Sequence, residues 1–483
     1  MKLPIESVLG TWAEGRGPLH RKLSDALREA IEQGRLPAGE RLPAERDLAA
    51  RLAVSRSTVV TAFDTLRGEG LVESRQGSGT RVRAARSRSL APAGGVNLSP
   101  VYRALLSSDD NLISLACAVF PAHPAVAEAL AAVVAEDGPK LLDQIGYVPA
   151  GLPALREALA EGLTRDGTPT EPDEVLVTTG AQQAVNLATQ LLVRPGDALV
   201  VESPSFAGTL DVFTTRGARL VPVPVDADGV DVRGVRAAVA EARPAALYLM
   251  PTFHNPTGAL LAPHRRRDLA ALAADSGVPI IEDNALEHTP LDDDRPPPIG
   301  AFAGPDATVL TAGSLGKAAW GGLRIGWLRG PRSLIGRLGE LKAMADLGSP
   351  LFDQAVAARL VPQLDRMRAD HRSMLQRNLE LVTSLLDEVL PAWEWRRPKG
   401  GPSLWIRLPA GTSSAFAQVA LRHGVEVIPG DVMSPTGEHR QHLRFPYSAE
   451  PPVLEETVRR LAQAWAAYAP SEAAGPRART VVV

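Results

Sequence analysis

Apolar residues at Leu19, Leu23, Leu27, Ala30 and Ile31 recur at three- and four-residue intervals, which predicts a helix over 19–34 that stops at Gly34. In the stretch that follows, Pro43 opens a short helix burying Leu48 and Leu52. After Ala53 and Val54, Ser55 is placed to cap a second helix that buries Val59, Phe63 and Leu66. Two short helices across a tight turn predict a helix-turn-helix. "LVES" and "TRV" flank the glycine-rich "RQGSG", so a two-stranded wing should follow.

Periodicity ends at 84–97, "AARSRSLAPAGGVN", which reads as a linker. From about residue 110 the pattern changes. Unbroken apolar runs ("EVLVTTG", "ALVVES", "AALYLM", "VPIIED", "ATVLTAGS") alternate with alanine- and leucine-rich helical stretches. That alternation predicts an α/β domain with a mostly parallel sheet. Residues 365–470 read as helices around a strand pair, "PSLWIRL" and "VEVIPG", and predict a smaller subdomain. The expected division is a winged head over 1–83, a linker and entry segment over 84–109, a body over 110–470 and a disordered tail over 471–483.

Charge separates the head from the body. Residues 1–90 hold 2 Lys and 14 Arg against 11 acidic residues, whereas the 483-residue chain has a net charge of −3. A basic head on an acidic body suggests that only the head meets a polyanion. The single cysteine, Cys117, excludes an intramolecular disulfide framework and fits a reducing cytoplasm. No apolar run is long enough to span a membrane, and "MKLPIESVLGTWAEGRG" does not read as a signal peptide. The histidines show no HExxH spacing, and no metal site is expected.

The chain holds only 6 Lys against 46 Arg, yet keeps Lys317 within the small-residue run "AGSLGKAAWGGLRIGW". An ε-amine can lose its proton and form a Schiff base, which a guanidinium does not do; a plain surface lysine is the other reading. Further polar residues stand at the ends of the predicted strands. "VTTGAQQA" ends a strand in a glycine turn that opens a helix, a natural anion site. Phe206 in "ESPSFAG" ends the next strand, as a cover for a planar ring or as ordinary core. Asn255 sits in the rigid "NPTG" turn. Glu282 and Asp283 end the buried run "IIED", where a carboxylate requires a cationic partner or solvent.

Together these motifs resemble the pyridoxal 5'-phosphate site of fold type I aminotransferases of the aspartate aminotransferase kind. The resemblance implies a Schiff base at Lys317, with Asp283 on the pyridine nitrogen, Asn255 on the phenolic oxygen and Phe206 stacked on the ring. It implies phosphate contacts from Gly180, Ala181, Gln182, Ser314 and Arg324, and a reach by Tyr147 into the neighbouring subunit's site within a homodimer. Arg444 in "HLRFPYS" matches the arginine that clamps a substrate carboxylate. The family usually places a tyrosine two or three residues after the aspartate. Here Ala285 and Leu286 stand instead, and Gly316 replaces a common serine before the lysine. Loss of the tyrosine's hydrogen bond changes the Schiff base's pKa and points away from efficient turnover.

The head resembles the winged helix-turn-helix of GntR-type repressors. That resemblance places Arg46, Ser55, Arg56, Ser57 and Thr58 at double-stranded operator DNA, with Arg75, Gly77 and Ser78 on the wing. Head, linker and aminotransferase-like body together resemble the MocR subfamily of GntR regulators. The implied function is a cytoplasmic transcription regulator that senses pyridoxal phosphate or an amine or amino-acid effector. The alternatives are a working aminotransferase with an accessory DNA-binding head and a DNA-binding protein whose body has lost its cofactor.

Overall fold

The computed structural model describes residues 5–13, 17–75, 79–83, 112–292 and 295–468. The expected linker, the wing-tip residues Gly77 and Ser78 and the expected tail lie outside them.

The head contains helices α1 (Ile5–Leu9), α2 (Leu19–Glu32), α3 (Glu45–Arg51) and α4 (Arg56–Gly68), followed by β1 (Val72–Arg75) and β2 (Gly79–Val82). Helix α3 starts at Glu45, later than Pro43 suggested. The reason is that the backbone just before Pro43 is already engaged by the wing: Leu42 N donates to the Thr80 carbonyl at 2.9 Å, and Val82 N to that of Glu40 at 2.9 Å. The Ser55 hydroxyl accepts from Thr58 N at 3.2 Å and caps α4 as its position predicted. Leu23, Leu27, Leu48, Leu52, Val59, Phe63 and Leu66 are fully buried and form one core. Helix α1 had no sequence expectation; it adds Ile5, Val8 and Leu9 to that core.

The body's strands, in chain order, are β3 (Ile113–Ser114), β4 (Val175–Thr178), β5 (Ala198–Ser203), β6 (Arg219–Asp226), β7 (Gly229–Val230), β8 (Ala246–Leu249), β9 (Ile280–Asp283), β10 (Val309–Ser314), β11 (Gly326–Arg329), β12 (Glu394–Trp395), β13 (Ser403–Arg407), β14 (Val425–Glu426), β15 (Ile428–Pro429) and β16 (His442–Pro446). An eight-stranded sheet runs in the order β4-β11-β10-β9-β8-β5-β6-β7. β10, β9, β8, β5 and β6 are successively parallel, while β11 and β7 run against their neighbours. Every residue of β4, β5, β8, β9 and β10 is buried, so these strands read as continuous apolar runs without alternation. Their carboxyl ends lie along one edge of the sheet, where a doubly covered α/β sheet leaves its crevice.

The small subdomain is a four-stranded sheet in the order β12-β13-β16-β15, with helices Leu364–Val389, Ser413–Arg422 and Pro451–Ala467. The expected strand pair is not adjacent. β16 stands between β13 and β15, and Val425–Glu426 instead pairs with β3. The intervening strand carries Arg444, which pairs with Trp405 on one side and Ile428 on the other.

Head and body touch through polar contacts on the helix Ser413–Arg422. Trp12 Nε1 donates to Gln418 Oε1 at 2.7 Å, and Arg422 donates to the carbonyls of Leu52 and Ala53 at 3.4 and 3.1 Å. Ala53 forms the turn between α3 and α4 at φ 49°.

Two glycines test the packing in opposite directions. A Cβ on Gly326 falls 2.6 Å from the Gly313 carbonyl oxygen and 2.7 Å from Gly180 backbone. Gly326→Ala should therefore lower the thermal midpoint, with a cost of roughly 1–3 kcal/mol from overpacking. Gly336, in the exposed face of the helix Arg332–Asp346, has open space at its Cβ. Gly336→Ala should raise the midpoint, by roughly 0.5–1 kcal/mol of helix propensity. Differential scanning calorimetry of both variants checks the pair.

Candidate functional site

The sheet's carboxyl edge and the small subdomain enclose a cleft of about 400 Å³. Gly180, Ala181, Gln182, Phe206, Asn255, Asp283, Ser314, Lys317, Arg324 and Arg444 all line it, so ten of the residues singled out from sequence converge here. Tyr147 is not among them. It stands on the surface, 64% exposed.

Asp283 ends β9 on the cleft side, while its neighbour Glu282 takes the opposite face, as strand alternation requires. Their hydrogen-bond donors are neutral, while the expected cation or solvent comes from the cleft for Asp283 and from the nearby buried Arg266 guanidinium for Glu282. Asp283 accepts from the Tyr248 hydroxyl at 2.8 Å and from Ala285 N at 3.0 Å. Glu282 accepts from Ile299 N at 2.7 Å, Gly300 N at 3.2 Å and Thr311 Oγ1 at 2.9 Å. Burial raises the Asp283 pKa, and the two donors oppose that shift. Sequence reasoning missed Tyr248. Its only signal was a hydroxyl inside the apolar run "ALYLM".

Lys317 follows the end of β10, and its Nζ donates to the Ala118 carbonyl. Burial, with smaller contributions from Arg444 and Arg324, brings its pKa down from 10.5 to about 8. About a tenth of the amine is therefore unprotonated at pH 7, far more than an ordinary lysine offers, and that is the state a nucleophilic lysine needs.

The glycine turn takes the form its sequence suggested. Gly180 adopts φ 97° and opens the helix Ala181–Leu192, whose first N–H groups lack intrahelical partners. Arg324 reaches back to this turn: Nη2 donates to the Thr179 carbonyl at 2.6 Å and lies 3.3 Å from where a Gly180 Cβ would be. Only glycine leaves the guanidinium that approach. A helix N-terminus, a guanidinium and the Ser314 hydroxyl make a cradle for a phosphate dianion. Phe206 is half-buried at the end of the next loop, and Gln182 lies beside it in the cleft wall.

Arg444 is 2% exposed and closes the far end. Its Nη2 donates to the carbonyls of Leu115 and Ala116, and Nη1 to Asn255 Oδ1 at 3.4 Å. Its Nε is buried without a partner. Burial lowers its pKa to about 10. Ala285 and Leu286 line the cleft where the resemblance expects a tyrosine, and neither side chain supplies a hydrogen bond there.

On the head, Arg46, Ser55, Arg56 and Ser57 are exposed and Thr58 is half-buried. Ser55 Oγ lies 2.8 Å from both Ser57 Oγ and Thr58 Oγ1. Arg56 pairs with Glu45 at 2.9 Å, an exposed contact that a stronger anion displaces at little cost. Arg75 closes β1.

Residues 121–464 match the class I and II aminotransferase family, and residues 19–82 match the gntR family of bacterial regulatory proteins. The uncharacterized HTH-type transcriptional regulator YisV of Bacillus subtilis is 30% identical over 91% of this chain and 95% of its own. The probable rhizopine catabolism regulatory protein MocR of Rhizobium meliloti is 32% identical over 66% of each chain. Among solved structures, the α-aminoadipate aminotransferase LysN of Thermus thermophilus, complexed with N-(5'-phosphopyridoxyl)-L-leucine, aligns at a TM-score of 0.69. It is 27% identical over 76% of this chain and 94% of its own. A GntR-type winged helix, followed by a pyridoxal-phosphate fold type I body whose cleft keeps its lysine, aspartate and arginines, leaves one assignment: the chain belongs to the MocR subfamily of GntR-type transcription regulators.

Proposed function

We propose that this regulator binds operator DNA through α4 and its wing, holds pyridoxal 5'-phosphate in the cleft, and responds there to an amine or amino-acid effector. The observation that carries the reading is the pairing, on one chain, of a capped and exposed recognition helix with a cleft that opposes a desolvated Lys317 to Asp283. The residues fit the cofactor. Gly180, Ala181, Gln182, Ser314 and Arg324 would hold its phosphate, Asp283 its pyridine nitrogen, Asn255 its phenolic oxygen and Phe206 its ring face. When bound, pyridoxal phosphate supplies an aldehyde that an amine can attack and a ring that delocalises charge. Lys317 is the amine the chain offers, and Arg444, held only by neutral oxygens with its Nε unpartnered, would take an effector's carboxylate. With Ala285 and Leu286 in place of a hydroxyl donor, the cleft is better suited to binding than to rapid turnover.

We read the surface around Tyr147 as a homodimer interface. Leu142, Ile145, Tyr147, Met344 and Leu347 are all exposed, and the approach of Gly348 to Val148 places their two segments side by side. A contiguous exposed apolar band of this kind is the mark of an interface. The family resemblance would then carry Tyr147 into the partner's cleft in a symmetric pair.

The purified protein should be yellow, with a borohydride-reducible visible band that Lys317→Ala abolishes. An unchanged band would remove Lys317 from the site. The rate at which cofactor-free protein takes up pyridoxal phosphate should rise with pH and level off above about 8, as the amine deprotonates. A rise continuing toward 10.5, read by stopped-flow absorbance, contradicts the desolvated amine.

Operator binding should weaken steeply with salt, because arginine–phosphate contacts release counterions. Arg56→Ala should cost roughly 1–3 kcal/mol of sequence discrimination if its guanidinium reads a base edge. Fluorescence anisotropy on operator and scrambled duplexes separates that loss from a uniform one.

Sedimentation equilibrium should give twice the chain mass of 51.2 kDa. A monomeric mass for cofactor-loaded protein refutes the shared site.

A further inference from the structure

The cleft wall over 115–118 is gripped at both ends. The Ala116 carbonyl accepts from Arg444 and the Ala118 carbonyl from Lys317. Cys117 lies between these contacts, half-buried, and lines the cleft. It therefore stands between the group that would hold an effector's carboxylate and the group that would yield to its amine.

Arg444 bonds only neutral oxygens, those of Leu115, Ala116 and Asn255, and its Nε has no partner at all. A guanidinium withdrawn from water with an empty donor favours an anion strongly. Among the described lining residues the other cations are Lys317 and Arg324, and Arg324 is turned toward Thr179 and Gly180. The remaining described lining residues include Thr252, His254 and Ser403 but no further lysine or arginine, so a second carboxylate finds no other cation there.

We infer that the effector is a small amine with a single carboxylate, whose carbon chain runs past Cys117 between Arg444 and Lys317, and that the Cys117 side chain limits its size. The inference rests on the amine-sensing reading above. A carboxylate arriving at Arg444 replaces the weaker carbonyl contacts of Leu115 and Ala116. A second carboxylate on the same ligand would be buried without a cationic partner, and a branched side chain would meet the sulfur.

The test uses full-length, cofactor-loaded protein and follows its visible absorption during titration with alanine, leucine, glutamate and propylamine. Wild type is compared with Cys117→Gly and Cys117→Val, each first checked for the cofactor band. Alanine should half-saturate at the lowest concentration, with glutamate and propylamine roughly tenfold or more weaker, the consequence of an unpaired charge or an unfilled arginine. Cys117→Gly should improve leucine by roughly tenfold relative to alanine, the scale of one methylene in a packed pocket, and Cys117→Val should worsen it. Glutamate binding as tightly as alanine, or a leucine-to-alanine ratio unchanged in both variants, overturns the inference while leaving amine sensing intact. If no amine changes the absorption of any form, amine sensing and this inference fall together.

Discussion

A carboxylate buried at the end of a parallel strand has to be met by donors, and much of the cleft is the outcome of meeting three of them. Glu202 stands next to last in β5, and Glu282 and Asp283 end β9; all three are buried. Glu282 draws the backbone of Ile299 and Gly300 toward the sheet. Glu202 accepts from Met250 N at 2.7 Å at the head of the loop leading to Asn255, and His254 Nε2 lies 3.5 Å from it without a hydrogen bond. Asp283 fixes the turn at Ala285. The loops that form the cleft floor are thus tied down by hydrogen bonds to buried carboxyl groups. Burial lifts the Glu202 carboxyl to about 8, so it is mostly neutral at physiological pH, and Asp283 is left as the carboxylate facing the cleft.

The opposite wall has the complementary problem. Lys317 and Arg444 are cations drawn out of water, and in both, burial is the main force lowering the pKa. Backbone carbonyls of residues 115–118 hold them, and these are weak acceptors beside a carboxylate. One wall therefore gives its carboxyl groups backbone and hydroxyl donors, while the other holds its cations on carbonyls that a carboxylate can replace. Ligand response falls to the second wall. The strand β3, which leads into it, pairs with β14 of the small subdomain, so changes at 115–118 are felt there first.

The strand ends were legible in the sequence because doubly covered strands permit only apolar residues until they emerge. "EVLVTTG", "VPIIED" and "ATVLTAGS" each change character at the residue where the cleft begins. The cap at Ser55 was legible because it acts over three residues. What stayed hidden acts over long separations. Tyr248 reaches Asp283 across 35 positions, and Lys317 reaches Ala118 across 199, with no periodicity to announce either contact. The insertion of β16 between β13 and β15 was hidden for the same reason: strand order is a tertiary outcome that short apolar runs do not encode. The later start of α3 reflects a contest that local propensity cannot see, in which the backbone before Pro43 was claimed by the wing.

The joint between head and body has a peculiarity of chemistry. Arg422 reads the turn between α3 and α4 through the carbonyls of Leu52 and Ala53, not through any side chain. Carbonyls survive every substitution that leaves the backbone in place. The side chains of α4 can accordingly be exchanged to suit a new operator without loosening the body's hold on the head, and the body can alter its cleft without disturbing base reading. Descendants of this chain are free to acquire new target genes and new effectors on separate evolutionary schedules, with the mechanical connection between the two inherited unchanged.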